Sequence, residues 1–248
     1  MKLKLYLIYL VAFLLVSCSV QYNLQSHSES IYDVKAENDS TITAMISPYK
    51  IGIDSVMNKV LCVSKIEMTK GKPESLLGNF VCDLCLQQYS NMADICVMNN
   101  GGLRSILPKG EITKGMIFEL MPFENELVIL ELGSDDYIQL LQYITKRGGE
   151  PFAGVNIIMD EKGSVLSQSL DLNRRKIRVL TSDYLANGGD KMSFFKGKKQ
   201  TKVGIKLRDA IINYCISKES ISSKLDNRLS IVKVKAKTKA KESDLTIE

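Results

Sequence analysis

Three loop-like segments combine residue types that could grip a small polar ligand with a flat ring. Asn99-Asn100-Gly101-Gly102-Leu103-Arg104 closes a short apolar run with an asparagine pair, a glycine pair and an arginine. Glycines let backbone N–H groups come close to a ligand, and a guanidinium suits phosphate or hydroxyl oxygens. Pro122-Phe123-Glu124-Asn125 puts an aromatic ring in a proline-bounded loop. Tyr184-Leu185-Ala186-Asn187-Gly188-Gly189-Asp190 offers a second ring and then a sharp turn that presents a carboxylate. Together, Phe123, Tyr184, Arg104 and Asp190 would make a nucleoside clamp. The rings would stack on the base, the acid would accept from ribose hydroxyls, and the cation would meet the phosphate. Each segment alone has a plainer reading, since Asn-Gly turns and loop aromatics serve structure in most proteins.

The chemistry that cuts a phosphate ester is not written beside this clamp. A metal-dependent phosphatase needs several His and carboxylate ligands, and the chain has one histidine, His27, in a polar stretch. No Ser-His or Cys-His pair is evident, so no catalytic residue and no metal ligand is assigned. Apart from Cys18, the cysteines are Cys62, Cys82, Cys85, Cys96 and Cys215. Five cannot all pair within one chain. Cys82 and Cys85 form a CxxC inside a helical apolar pattern with no second pair, so buried free thiols are expected.

The first residues give an address. Lys2 and Lys4 precede an apolar run from Leu5 to Val16, too short for a membrane span of ~20 residues. Leu15-Val16-Ser17-Cys18 matches a bacterial lipobox, which predicts cleavage before Cys18 and lipidation (palmitate included) at that cysteine. The expected place is the bacterial cell envelope, lipid-anchored on the periplasmic face of the outer membrane. Residues 1–17 are then signal peptide, 18–36 a polar tether, 37–235 the folded domain and 236–248 a frayed tail. Loss of residues 1–17 lowers the formal charge from +5 to +3, too mild a balance to indicate nucleic acid.

Patterning predicts the elements that hold the three segments. A helix kinked at Pro48 is expected over 41–58, and an alternating strand over 60–66. Helical spacing covers Glu74 to Tyr89, and Ala93 to Met98 reads as a buried strand ending in the Asn-Asn-Gly-Gly turn. Glu126 to Leu132 reads as a strand of alternating type, and Asp135 to Lys146 as a helix stopped by Gly148-Gly149. Strands follow at 155–159, 176–180 and 228–234, with a helix from Val203 to Ser217. This order predicts an α/β or α+β layered domain, a mixed sheet with helices, without internal repeats.

The order and spacing of the motifs resemble the C-terminal, substrate-binding domain of 5'-nucleotidases over roughly residues 41–235. The matching pieces are Glu74-Ser75-x-Leu77-Gly78-Asn79 with Asp83, Asn-x-Gly-Gly-x-Arg at 99–104, Pro-Phe-x-Asn at 122–125 and Leu-Ala-Asn-Gly-Gly-Asp at 185–190. The resemblance implies that Phe123 and Tyr184 sandwich the base, tyrosine standing where the family usually has phenylalanine. It implies that Arg104 reaches ribose or phosphate and that Asp190 takes the ribose hydroxyls. Asn99 and Asn125 serve the base edge or the loop frame, and the Glu74–Asp83 helix is scaffold.

Two departures follow from the same comparison. Pro73, preceded by Lys72, stands where many family members carry a substrate-holding arginine, and lysine has no planar fork. The full enzymes also carry an N-terminal domain with two divalent metals held by Asp, His and Asn, and His27 does not replace that set. The first expectation is therefore the nucleotide-binding half of a split 5'-nucleotidase, partnered by a separate exported metallophosphoesterase that supplies both metals. The alternatives are a non-enzymatic envelope nucleotide or nucleoside binder, and a degenerate interaction module.

Overall fold

A computed structural model describes residues 26, 28–33, 37–171 and 176–233 of the chain. The segment expected to direct export and lipidation, with Cys18, and also His27 and the 236–248 tail lie outside the described residues. The chain divides into two compact units, one ending at Met45 and the other beginning at Ile46, a boundary that falls within the first described helix, α1 (Ser40–Met57). In the first unit Asp39 caps that helix, its Oδ1 accepting from the N–H groups of Thr41 and Ile42 at 2.8 and 3.1 Å. α1 is assigned as one helix that includes Pro48, and none of its residues is buried.

The second unit runs β1 (Val60–Ser64), α2 (Leu76–Gln88), β2 (Ile95–Val97), β3 (Gly110–Thr113), α3 (Lys114–Leu120), β4 (Glu126–Leu132) and α4 (Ser134–Lys146). It continues with β5 (Phe152–Ala153), β6 (Ile157–Asp160), β7 (Val165–Gln168), β8 (Ile177–Ser182), the short α5 (Asp183–Ala186), β9 (Gln200–Lys206), α6 (Leu207–Ile216), β10 (Ser220–Ile221) and β11 (Leu229–Val232). A mixed five-stranded sheet of order β5-β2-β8-β4-β9 forms the centre, with two three-stranded sheets, β10-β1-β3 and β11-β6-β7, beside it. The fold is therefore a layered α/β arrangement of mixed sheets and helices.

Central strand β4 shows why the layers form. The alternation expected of it is not seen: Leu127 to Leu130 are all buried, because both faces of the strand are covered, not one. Leu127 and Ile129 join Cys96, Leu180 and residues of α2 and α6 in one core. Val128, Leu130 and Leu132 point the other way and join Val179, Tyr137, Leu140 and Ile144 in a second. All five cysteines of the domain are buried free thiols. Burial pushes the Cys96 thiol well up, so it packs as a neutral filler.

One expected helix starts late. Residues 203–206, expected to begin the helix, instead belong to strand β9 (Gln200–Lys206), paired antiparallel with β4. The pairing slips between Glu126 and Val128, and Gly204 lies at that slip with φ of +85°, a left-handed bulge conformation that breaks helical spacing. The helix begins only at Leu207, whose N–H donates to Asn125 O at 2.9 Å.

A buried arginine ties the C-terminal strand to the rest through partly exposed carboxylates. Arg228 is 5% exposed and donates to both oxygens of Asp83 (2.8 and 2.9 Å), both oxygens of Asp226 (2.9 Å each) and Phe152 O (2.7 Å). Glu74 Oε1 accepts from Asn79 Nδ2 at 2.5 Å and from Asp226 N at 2.8 Å. The Glu74–Asp83 stretch is thus scaffold that locks α2 to the chain entering β11. Asp83 and Asp226 keep 50% and 35% of their side-chain surface exposed, so removing Arg228 costs its hydrogen bonds and leaves Phe152 O without that donor, while water can reach the carboxylates. Arg228→Ala is expected to cost about 2 kcal/mol in urea unfolding. A change below about 0.5 kcal/mol, the usual size for surface sites, would contradict this account.

Candidate functional site

The central sheet gathers the three loop segments at one edge. β2 and β8 run parallel, with Ile95 opposite Val179 and Cys96 opposite Leu180, so their C-terminal ends point the same way. β4 runs antiparallel to β8, with Leu127 opposite Ser182, so the start of β4 lies at that same edge. Asn99 to Arg104 follows β2, Phe123 to Asn125 precedes β4, and Tyr184 to Asp190 follows β8. Open α/β sheets place ligands outside the carboxyl ends of their strands for this reason.

These loops enclose a cleft of about 340 Å³ lined by Asn99, Gly101, Gly102, Arg104, Phe123, Asn125, Tyr184 and Asp190. All six residues expected to bind substrate therefore meet in one place. Phe123 and Tyr184 keep 40% and 48% of their surface exposed, which leaves ring faces open to a ligand. Arg104 is exposed, with Nη1 donating to Gly101 O at 3.2 Å and its guanidinium carbon 5.8 Å from the centre of the Phe123 ring. Tyr184 lies against its own loop, and a Cβ on Gly189 would sit 2.6 Å from Cε1 and Cζ of that ring. Only glycine lets the ring pack so closely. Asn99 Nδ2 donates to Asp190 Oδ2 at 3.0 Å, so Asn99 belongs to the frame around the carboxylate.

A larger groove, about 610 Å³, lies between α4 and the β6–β7 turn. Its walls include Ile138, Leu141, Leu166, Lys146 and Lys162, with neither an aromatic ring nor a carboxylate. It lacks the stacking face and the hydroxyl acceptor that the smaller cleft combines. Among the described residues no three His, Cys, Asp or Glu side chains are grouped to hold a metal ion. The described residues therefore do not fit a two-metal phosphatase centre.

The model of the 5'-nucleotidase C-terminal domain matches residues 57–197, more than half the chain. The chain belongs to this family. The family match spans all three loops of the cleft. Among curated proteins the chain is similar to an apyrase of Tabanus yao, 24% identical in an alignment 212 residues long that covers 71% of this chain and 38% of the apyrase. It is 28% identical over 116 residues to Protein UshA of Yersinia enterocolitica, covering 43% of this chain and 21% of UshA. Among solved structures it resembles the 5'-nucleotidase precursor of Thermus thermophilus, with a TM-score of 0.68 and 23% identity over 79% of this chain and 44% of that one. At that identity the likeness speaks to fold alone. The chain spans less than half the length of each of these relatives.

Some family-domain residues that shape the cleft escaped the sequence reading. Arg147, just past α4, sends Nη2 to Asp190 Oδ1 at 3.4 Å and Nε to Glu150 Oε1 at 2.6 Å. Glu150 Oε2 accepts from Asn100 N at 2.8 Å, and Tyr143 OH donates to Asp190 O at 2.8 Å. The one available signal was an Arg-Gly-Gly-Glu turn closing a helix, which alone reads as a helix stop. Lys72 does not take the place of the family arginine in the cleft. Its Nζ donates to Arg147 O at the end of α4, where a cation meets the negative pole of the helix.

The Phe123 loop is anchored by the residue next to it. Glu124 pairs with Lys206 at the end of β9 and with Arg208 in α6. Arg208 is itself buried, its guanidinium carbon 4.1 Å from the Phe118 ring centre. Hydrogen bonds from Lys206 and then Arg208 hold the Glu124 carboxyl down at about 2, against an ordinary 4.5. A depressed carboxylate adds stability above its unfolded pKa and loses it as pH falls through the folded one. The stability gap between the wild type and Glu124→Gln is therefore expected at pH 7 and should close between pH 4.5 and about 2. Urea midpoints across that range measure it, and a gap that stays constant would contradict the anchoring role.

Proposed function

We propose that this domain binds a nucleotide, and that it serves as the nucleotide-binding half of a 5'-nucleotidase whose metal centre comes from a separate exported metallophosphoesterase. The observation that carries the reading is the convergence of Asn99, Arg104, Phe123, Asn125, Tyr184 and Asp190 from three distant loops on one cleft. In this reading Phe123 and Tyr184 hold the two faces of the base. Asp190, an acceptor only when ionised, takes the ribose hydroxyls. Arg104 reaches ribose or phosphate oxygens, Asn99 holds the frame, and Asn125 meets the base edge.

What such a half contributes to hydrolysis is position. A nucleotide fixed by its base and ribose presents its phosphate in one place, and ordering of that kind is a large share of many rate enhancements. Attack on phosphorus is left to the partner, because the cleft lining offers no metal-ligand set and no nucleophile paired with a base. The lipobox at Leu15–Cys18 supports a site of action at the cell envelope.

Calorimetric titration with AMP and adenosine tests the reading. Base–aromatic stacking is worth about 1–3 kcal/mol, so Phe123→Ala is expected to weaken both ligands by about 5- to 150-fold. Asp190→Ala is expected to weaken them alongside it. In the same series, an exported metallophosphoesterase should release phosphate from AMP faster as this protein is added. Binding without any change in that rate would leave an envelope nucleotide binder. Absence of binding would leave an interaction module.

A further inference from the structure

The carboxylate at the centre of the clamp sits on a left-handed turn. Asp190 has φ of +53° and Lys191 φ of +70°; aspartate enters this region more readily than most residues, whereas lysine does not. Such a turn persists where its surroundings over-determine it. Here the main chain of Asp190 is tied at both ends. Its N–H donates to Tyr184 OH at 3.1 Å, and its carbonyl accepts from Tyr143 OH at 2.8 Å. The carboxylate is tied as well, by Asn99 to Oδ2 and by Arg147 to Oδ1.

Behind these ties stands a buried charge. The Glu150 side chain is 1% exposed, and its two oxygens are taken by Arg147 Nε and Asn100 N. Arg147 also lies with its guanidinium carbon 5.1 Å from the Tyr143 ring centre. One planar fork is therefore held in place by Glu150 and Tyr143 and aimed at Asp190. Glu150 also fixes the backbone of Asn100, next to Asn99, which bonds the other oxygen. An ionised carboxylate has about four acceptor sites. Two are used, one on each oxygen, so each oxygen keeps capacity for one further donor.

Resting on the nucleotide reading above, we infer that Glu150 and Arg147 are positioning residues that act through Asp190, presenting its two oxygens together to the vicinal diol of a ribose. They touch no ligand themselves. Their effect is confined to ligands that carry the diol, which makes this cleft selective for ribonucleotides over sugars lacking both hydroxyls. A brace that only stabilised the fold would affect every ligand alike.

The test compares adenosine with 2',3'-dideoxyadenosine by calorimetry on the wild type and on Arg147→Met. Arg147→Met should weaken adenosine about tenfold, the usual range for a lost bond to a charged group. It should change the dideoxy ligand by less than about twofold, within the scatter between independent sites. Arg147→Lys should restore part of the loss. The single change leaves Glu150 buried with one partner, so Arg147→Met combined with Glu150→Gln provides a second variant without that stranded charge. Equal loss for both ligands, or no loss for either, would overturn the inference while leaving the nucleotide reading intact. A wild type that binds neither ligand would sink the nucleotide reading and this inference with it.

Discussion

The register of β4 against β8 governs where everything else in the cleft can be. Leu127 opposite Ser182 sets the entry of one strand beside the exit of the other, and the parallel pairing of β2 with β8 brings a third loop to the same edge. A slip of one residue would turn every β4 side chain to the opposite face. Because both faces of β4 are packed, the two cores resist that slip from either side. The register is thus held by hydrophobic burial, and the site inherits its precision from it.

On this frame Leu103, Leu185 and Ala186 pin the loops into the cores, and charge holds the ends that carry the open rings. Each open aromatic sits next to an anchored carboxylate. Phe123 is followed by Glu124, which pairs with Lys206 and Arg208, and Tyr184 meets the N–H of Asp190, which pairs with Asn99 and Arg147. A ring that must stay open to a ligand cannot be secured by burying it. Polar neighbours hold the backbone instead, and the ring faces remain exposed. Arg228 does the same work away from the cleft, joining α2, β5 and the chain entering β11.

Much of this was legible in the residues, for identifiable reasons. Helix α4 and strand β4 are long and strongly patterned, so Asp135–Lys146 and Glu126–Leu132 stood out. The six cleft residues were legible because the order and spacing of their three loops resemble those of the family, a signal that no single loop carries. The false start of α6 had a physical cause: Val203, Ile205 and Leu207 alternate as a strand, yet the apolar run beyond them continues with helical spacing. Gly204 marked the bulge, but a single glycine does not say which partner strand it faces. Arg147 and Glu150 were hidden for a different reason. Their meaning lies in the approach of Arg147 to Asp190, 43 residues on, and no local pattern carries it.

The clamp requires a base lying between Phe123 and Tyr184, and nuclear Overhauser contacts of bound AMP observe that arrangement directly. Contacts from the adenine H2 and H8 protons to the ring protons of both Phe123 and Tyr184 are the predicted result. Contacts to Ile138, Leu141 or Leu166 instead would place the ligand in the larger groove beside α4 and contradict it.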